Sequence, residues 1–473
     1  WTYIHIEGKP YQRGIAHGKL LKNEIKDAIK TMEWRLYDLH GFKIDFFIDL
    51  SNYIFKKKIE EHFHEFFEEL KGIAKGADVN LDKLVLWNNL FSLEYALPKI
   101  KEYLNDIPSL KEKYGNLFDQ LPVTTNLEGG YNGARDKCSS FLAIGDYTHD
   151  GQICCGHNTF DDFIDGQWFS VIIDIKPKNG NRILFQSAPG LIYSQTDFFI
   201  NDKGFIGTET TIGGFINYTN KDPIMCRIRN AMQYANTLDD YVDMLKKENS
   251  GDYANSWLIG DTKNNEIMRI ELGLEFVNVE RKKNGYFIGF NAPYDASIRN
   301  IECVNTGFDD IRRHQGARKV RLEQLIEQYK GKLNIEIGKR ILADHYDVYL
   351  NKTNPCSRTC CSHYDLDDRA YMSQSDRPLP YQPRGCVDGC VADTESCKKL
   401  TFYARWGSSC GMPFNVKQFM KQNIQWKRFE PYLFDRPHQP WGIFKCLNTL
   451  PHANKTISKK NKRENNKTKK VKI

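Results

Sequence analysis

The sequence lacks several features that would have placed it in a class at once. It contains no run of about 18 apolar residues, so a membrane-spanning helix is not expected. Acidic residues are scarce at its end, where residues 455–473 hold nine Lys or Arg against Glu464 alone, a charge of +8. The whole chain carries +7, which leaves the rest near −1, so nucleic acid is not an expected partner of the folded body. The tail is also poor in apolar residues, which predicts disorder.

The rest of the sequence can form a large core, because 40% of the 473 residues are hydrophobic and 13% are aromatic. Residues 11–97 show the helical period. One apolar stripe there comprises Leu21, Ile25, Ala28, Ile29, Met32 and Leu36, and another comprises Phe63, Phe66, Phe67, Leu70 and Ile73. Residues 115–135 lose this period and gather Gly and Asn, which is typical of a linker. We predict a helical N-terminal segment (1–137), a main domain (138–445) and a basic disordered tail (446–473).

The period changes to that of strands after residue 137. Asp150-Gly151, Asn179-Gly180 and Asn284-Gly285 each lie between apolar stretches. Such pairs predict tight hairpins, because both residues accept positive φ angles, and three hairpins indicate antiparallel sheet. Helical patterns follow at residues 223–235, 238–247, 317–329 and 335–345. The predicted fold class is therefore α+β, with sheet layered against helices.

Cysteine is abundant, with 13 in the chain and seven in one stretch that we call the Cys-rich segment, residues 356–410. The seven are Cys356, Cys360, Cys361, Cys386, Cys390, Cys397 and Cys410. Disulfides are the first interpretation, since a long irregular segment gains most from cross-links. The alternative is a zinc site, and its candidate ligands are Cys356, Cys360, His363, Cys386 and Cys390. The cysteine content and four sequons favour a secreted or lysosomal/endosomal protein; the sequons begin at Asn217, Asn351, Asn454 and Asn466.

A single cysteine, Cys138, raises a question of chemistry. It would begin a strand that turns at Asp150-Gly151 and returns to His157 and Asn158, so a thiol and polar groups would share one rim. A thiolate is a competent nucleophile when a base lies nearby. If the bond between Lys137 and Cys138 were cut, the new α-amino group would be that base, because its ordinary pKa of about 7.7 to 8.0 suits proton transfer near neutral pH. The alternative is a cysteine that merely packs at the start of a strand.

Four stretches resemble the successive motifs of the phospholipase B-like family. They are HNTF (157–160), SAPGLIYSQTDFF (187–199), GTETTIGG (207–214) and NSGDYANSWLIGD (249–261). GKPYQRGIAHG (8–18) resembles the segment that precedes the nucleophile in the related penicillin acyltransferases. These families are N-terminal-nucleophile hydrolases. The resemblance therefore implies an αββα sandwich of two antiparallel sheets between helical layers, and a precursor that cuts itself before the nucleophile.

The resemblance also implies roles for individual residues. Cys138 would be the nucleophile, and the bond between Lys137 and Cys138 would be the one cut. Asn255 would donate its side-chain amide to the oxyanion of the tetrahedral intermediate. His157 and Asn158 would be further catalytic residues that line the pocket beside the nucleophile, and Thr159, Thr210 and Trp257 would be substrate or pocket residues. An arginine often positions such sites in relatives, and the candidates are Arg299, Arg312, Arg313 and Arg405.

The expected reaction is hydrolysis of an acyl amide or acyl ester through a thioester acyl-enzyme, and it requires no metal or cofactor. The expected partner is a small acyl-amide or phospholipid-like substrate, with peripheral contact to a membrane as a further expectation. Two alternatives stay open: an acyltransferase on the same scaffold, and a catalytically silent secreted binding protein. The sequence leaves the acyl chain, the head group and the oligomeric state undetermined.

Overall fold

The computed structural model describes residues 1–119, 137–195, 198–304, 306–368, 380–447 and 469–472. Most of the predicted linker and most of the predicted tail lie outside these residues. Within the described parts, none of the helices combines the length and the apolar character needed to cross a bilayer.

Eighteen strands are numbered in chain order through the described residues. They are β1 Thr2–Gly8, β2 Cys138–Gly145, β3 Gly151–Asp162, β4 Val171–Pro177, β5 Ile183–Ser187, β6 Phe199–Asn201, β7 Phe205–Thr211, β8 Asn255–Asp261, β9 Glu266–Leu272, β10 Val277–Lys282, β11 Gly285–Gly289, β12 Tyr346–Asp347, β13 Lys352–Thr353, β14 Arg384–Cys386, β15 Asp388–Asp393, β16 Thr401–Trp406, β17 Gly442–Lys445 and β18 Lys469–Lys472.

The α-helices of the described residues are numbered in the same way. They are α1 Pro10–Leu20, α2 Lys22–His40, α3 Ile44–Ser51, α4 Lys57–His62, α5 His64–Ala77, α6 Leu81–Asn88, α7 Leu90–Ala96, α8 Ile100–Asp106, α9 Pro108–Asp119, α10 Phe163–Gly166, α11 Ile224–Tyr234, α12 Leu238–Lys246, α13 His314–Gln328, α14 Ile335–Leu342, α15 Thr394–Lys398 and α16 Val416–Gln422. Short π-helical turns cover Asn52–Lys56 and Ile298–Glu302, and 3-10 turns cover Leu97–Lys99, Tyr364–Leu366 and Ile424–Tyr432.

Most of the strands form two sheets. The larger sheet has the order β10-β9-β8-β7-β6-β5-β4-β1-β18, and the smaller has the order β11-β2-β3-β15-β16-β17, with β14 also paired to β3. Among the described strands only β1 and β4 run parallel, in a register from Thr2 opposite Val171 to Gly8 opposite Pro177. The first strand of the chain is therefore part of the sheet that the later residues build.

The two sheets pack face to face and helices cover their outer faces. Side chains such as Leu142 and Ile153 from the smaller sheet meet Ile206 and Leu258 from the larger sheet in one buried cluster. A second cluster joins α2, α5 and α11 to the outer face of the larger sheet, and a third joins α13 and α14 to that of the smaller sheet. This is the predicted αββα arrangement, because each apolar sheet face is buried against another layer.

Two of the three predicted hairpins are confirmed and one is wrong. Asp150-Gly151 connects the paired strands β2 and β3, and Asn179-Gly180 connects β4 and β5. Asn284-Gly285 instead connects β10 to β11, which pair with β9 and β2 and so lie in different sheets. The Asn284 side chain accepts a hydrogen bond from the Asp146 amide at 2.8 Å, which ties this turn to the β2–β3 hairpin. A turn signal predicts the reversal of the chain but not the partners of the two strands.

Helices α1 and α5 approach each other closely because glycines face their contact. A Cβ atom on Gly72 would lie 2.2 Å from the Tyr11 carbonyl oxygen, and one on Gly14 would lie 2.1 Å from the Glu69 carbonyl oxygen. Beside them, the buried Arg13 donates a hydrogen bond to the Glu69 carboxylate at 2.7 Å. The motif at residues 8–18 thus serves a close helix contact in this fold.

Candidate active site

The hairpin of β2 and β3 positions Cys138. Gly151 begins β3 with a φ of +73°, which a glycine adopts without strain, and the Asp150 side chain accepts a hydrogen bond from the Gln152 amide at 3.0 Å. In the resulting register Cys138 is opposite Thr159 and Ser140 is opposite His157. Opposed residues of an antiparallel pair share a face, so these four side chains lie on the same side of the hairpin.

Acidic and aromatic polar groups surround the sulfur. Cys138 Sγ is 3.6 Å from Glu209 Oε1, which also accepts a hydrogen bond from the Tyr253 hydroxyl at 3.0 Å. A ring nitrogen of His157, Cys138 Sγ and a Glu209 carboxylate oxygen all lie within 4.8 Å of one another. Burial lowers the pKa of His157 to about 3, although the Glu209 backbone partly opposes this shift, so the imidazole is neutral. Cys138 itself is only 1% exposed.

The backbone of Cys138 is held from two further elements. Its amide nitrogen donates to Asn291 Oδ1 at 3.1 Å, and its carbonyl oxygen accepts from Arg318 of α13. Arg318 also donates to Asn291 Oδ1 at 2.8 Å, which links the two contacts. On the preceding residue, the carbonyl oxygen of Lys137 accepts a hydrogen bond from the Phe160 amide. Both sides of the bond predicted to be cut are thereby fixed.

The side chain of Lys137 is buried beside that bond, with 5% of the residue exposed. Its ammonium group is 3.3 Å from an Asp161 carboxylate oxygen and lies 3.6 Å from the centre of the Phe91 ring. Phe91 belongs to α7, so the N-terminal helices cover this end of the hairpin. Lys137 is therefore packed between the hairpin and the N-terminal helices.

Comparison with known proteins decides the family. The family model described as Phospholipase B matches residues 5–280, which is more than half of the 473-residue chain. The chain belongs to the phospholipase B family. The predicted resemblance is thereby confirmed.

Three relatives illustrate how far the similarity extends. Phospholipase-B 81 from Drysdalia coronoides is 31% identical over 262 residues, covering 49% of this chain and 44% of that protein. Phospholipase B from Crotalus adamanteus is 30% identical over 295 residues, covering 56% and 50%. Phospholipase B-like 1 from Homo sapiens is 24% identical over 291 residues, covering 56% and 49%. This phospholipase B family member spans about half the length of these relatives.

Solved structures include a distant neighbour, a mutant of conjugated bile acid hydrolase from Clostridium perfringens. It has a TM-score of 0.32 and 11% sequence identity, over 57% of this chain and 89% of that one.

The other predicted pocket residues of this phospholipase B family member lie at different distances from the sulfur. Asn255 is opposite Thr211 across the β7–β8 pair. The Thr211 carbonyl oxygen accepts a hydrogen bond from the Asn291 side chain at 2.7 Å, and Asn291 in turn accepts one from the Cys138 amide. Nothing among the described residues hydrogen-bonds either atom of the buried Asn255 amide. Thr210 lies near Ser140, since a Cβ atom on Gly289 would meet both side chains. The fully buried Trp257 is opposite Glu209 across the β7–β8 pair.

Asn158 does not join this group. Its side-chain amide donates to the carbonyl oxygens of Leu342 at 2.7 Å and Cys360 at 3.0 Å, which lie beyond the other face of the hairpin. Side chains alternate along a strand, so a face shared by His157 and Thr159 excludes the residue between them. Asn158 therefore ties β3 to the end of α14 and to the Cys-rich segment.

None of the four candidate arginines contacts Cys138. Arg299 and Arg405 donate to backbone carbonyls elsewhere, Arg312 pairs with Asp310 at the surface, and Arg313 is the residue immediately before α13. The arginine at the site is Arg318, which the sequence reasoning missed. A signal was present, because Arg318 falls on the helix face of His314, Leu322 and Leu325, and an arginine in an apolar stripe indicates a buried partner.

The Cys-rich segment differs from both sequence interpretations. All 13 cysteines lie among the described residues, and none of them is paired in a disulfide in this structure. The predicted zinc ligands are dispersed, with Cys356 Sγ 3.5 Å from Asp347 Oδ2 and Cys390 Sγ 2.7 Å from Gln186 Oε1. His363 alone of that set belongs to a compact group, with His345, Cys361 and Cys410. Sequence spacing cannot identify ligands that tertiary structure brings together.

Proposed function

We propose that this chain is a self-processing cysteine hydrolase of the N-terminal-nucleophile type, which cleaves acyl amide or acyl ester bonds of lipid-like substrates. The environment of Cys138 carries the proposal. Its sulfur is 3.6 Å from the Glu209 carboxylate, its amide donates to Asn291 and its carbonyl accepts from Arg318. Membership of the phospholipase B family supports the class of substrate. A cysteine that only fills space in a strand would not need this many polar neighbours.

In the first stage the chain would cut itself. The sulfur of Cys138 attacks the carbonyl carbon of Lys137, the C–N bond breaks, and the nitrogen takes a proton to become an amine. The resulting thioester joins Lys137 to the sulfur, and water opens it to give a carboxylate and a free thiol. Glu209 is close enough to receive the thiol proton, and the Phe160 amide would stabilise the charge that develops on the Lys137 oxygen.

In the second stage the new amine of Cys138 would act as the base. Asn291 Oδ1 already accepts from this nitrogen and would orient the amine. The Arg318 guanidinium, bonded to the same oxygen, would favour the uncharged amine because like charges repel. The thiolate attacks the acyl carbonyl, and the Asn255 side-chain amide donates a hydrogen bond to the resulting oxyanion. Water then hydrolyses the thioester and releases the acid. An amide that lacks a partner among the described residues is available for that role.

Processing would also open the site. Cys138 and Lys137 are 1% and 5% exposed, so an acyl substrate has no direct route to the sulfur in the uncut chain. Breaking the bond would free Lys137 to move away from the sulfur. The same event therefore supplies the base and admits the substrate.

The decisive experiment compares wild type with Cys138→Ala and a matched control, Cys226→Ala. Cys226 is a buried thiol of α11 that packs beside Met225. We expect denaturing mass spectrometry to find two chains, one beginning at Cys138, for wild type and the control, and one intact chain for Cys138→Ala. Fatty-acid release from N-acyl amides and phospholipids, measured side by side, should vanish in Cys138→Ala alone. Two chains or retained hydrolysis in that variant would contradict the proposal.

We also propose that the protein follows the secretory or lysosomal route. The four sequons support this route. Of the two sequon asparagines among the described residues, Asn351 is exposed in a turn, whereas Asn217 is partly buried and donates to Glu302 at 3.1 Å. Asn351 is therefore the more accessible acceptor for a glycan.

A further inference from the structure

Four metal-binding side chains meet at one place outside the candidate active site. His345 follows α14, Cys361 and His363 precede β14, and Cys410 follows β16. One ligand atom from each lies within 4.8 Å of the other three. Cys361 and His363 are buried, while His345 and Cys410 are half-buried, so the group has a side that an ion can reach from solvent.

The distances match the edges of a tetrahedron around a zinc ion. The Nε2 atom of His363 is 3.4 Å from Cys361 Sγ and 3.5 Å from Cys410 Sγ. Zinc binds sulfur at about 2.3 Å and imidazole nitrogen at about 2.0 to 2.1 Å, which gives a tetrahedral S···N edge of about 3.6 Å. The group is thus already spaced for an ion at its centre. Two thiolates and two imidazoles are a ligand set that favours zinc over calcium or magnesium.

Residues around the four ligands provide the supporting contacts that metal sites usually have. The other ring nitrogen of His363, Nδ1, is 3.3 Å from Asp365 Oδ1, so the carboxylate can hold the imidazole with Nε2 facing the ion. The Met412 amide donates to Cys410 Sγ at 3.4 Å, which stabilises negative charge on that sulfur. These contacts would not be needed by a cysteine cluster that only packs.

We propose that His345, Cys361, His363 and Cys410 bind one zinc ion in a closed structural site. Binding would release the protons of the two thiols, because thiolates are the ligands. The ion would join three separate loops to β3, since Phe160 packs against Cys361, Cys386 and Cys410. Phe160 follows Thr159, the residue opposite Cys138, so the zinc would hold the end of the hairpin that presents the sulfur.

The first test measures metal in the full chain, expressed with zinc and purified without chelator. We expect about one zinc per chain in wild type and at least about tenfold less in Cys410→Ser and Cys361→Ser. The matched control is Cys356→Ser, a cysteine of the same segment whose sulfur contacts Asp347 instead. A strong chelator should lower the Tm of wild type and of the control while leaving that of Cys410→Ser unchanged.

A second measurement does not depend on how the variants fold. Wild type reconstituted with Co²⁺ should show the intense visible absorption of a tetrahedral ion and a near-ultraviolet band from thiolate ligands. Free thiols without metal would overturn the proposal, as would a mass two hydrogens lower without metal, the sign of a disulfide between these cysteines. Because hydrolase activity is not the readout, failure here leaves the proposed function of Cys138 standing.

Discussion

The buried carboxyl group of Asp388 gives a quantitative test of how this fold responds to pH. Asp388, in β15, is fully buried and accepts hydrogen bonds from the Thr159 amide at 2.8 Å and from Gln186 at 3.0 Å. Burial raises the pKa of Asp388 to about 7 even though these hydrogen bonds oppose the shift. Relative to the ordinary value of 3.8, this corresponds to about 4 kcal/mol of differential stability.

The sign of the pH dependence of stability follows from whether the folded or the unfolded state binds the proton. Between about pH 4 and about pH 7 the folded protein keeps the Asp388 proton, whereas the unfolded chain has released it. The contribution of this group to folding is therefore complete below about pH 4 and is lost as the pH rises through about 7. Asp388→Asn is neutral at every pH and lacks this dependence. We expect the free energy of unfolding of wild type, relative to this variant, to fall by about 4 kcal/mol across that window.

Urea unfolding of both proteins across this pH range measures the difference, and Asp174→Asn is the matched control. Asp174 is a fully buried carboxyl group of β4. Burial alone would raise the pKa of Asp174, but hydrogen bonds from His5 and Arg182 outweigh it and lower the pKa. Its contribution is complete above about pH 4 and is lost only as the pH falls below that value, so the difference between wild type and this control should stay flat across the window. A wild-type advantage over Asp388→Asn that stays flat or grows with pH would refute the reasoning.

Two further predictions concern the helix contact and the missed arginine. Gly72→Ala should lower the free energy of unfolding by about 2 kcal/mol or more, because its Cβ would meet a backbone carbonyl oxygen. A lower Tm than that of wild type would report this loss. Gly115→Ala, whose Cβ would meet only the Lys111 side chain at 3.5 Å, should be neutral or slightly stabilising, and equal losses in both would contradict this account. Arg318→Lys should slow the appearance of cut chains at least about tenfold, because lysine donates from a single nitrogen and cannot reproduce the rigid two-nitrogen fork that Arg318 directs at Cys138 and Asn291. Arg312→Lys, at the surface, should cut at the wild-type rate, and unchanged cutting in Arg318→Lys would remove that arginine from the site.

Features of the fold that depend on local pattern could be predicted from the sequence. The apolar stripe from Leu21 to Leu36 is the buried face of α2, and the four later helical patterns correspond to α11, α12, α13 and α14. The hairpin at Asp150-Gly151 can be predicted because its turn residues and the strand-like pattern on both sides of the turn indicate the same structure. The hairpin prediction at Asn284-Gly285 is wrong because the partners of a strand depend on distant residues, here those of β9 and β2.

The candidate active site likewise has residues that the sequence predicts and residues that it does not. Cys138 and His157 could be found together because one hairpin carries both. Arg318 and Asn291 reach Cys138 from elements far along the chain, and no spacing rule predicts such a contact. The same holds for the proposed zinc ligands: Cys361 and His363 are near in sequence, whereas Cys410 is brought to them by the packing of another loop.

The position of β1 has a consequence for any cut made before Cys138. This strand lies between β4 and β18, so its backbone hydrogen bonds belong to a ladder made by residues downstream of the cut. Two polypeptides would result, but they could dissociate only if the backbone hydrogen bonds of a continuous sheet were broken. The product would be a heterodimer whose dissociation is the same event as its denaturation. Gel filtration would then report a single particle where denaturing electrophoresis reports two bands.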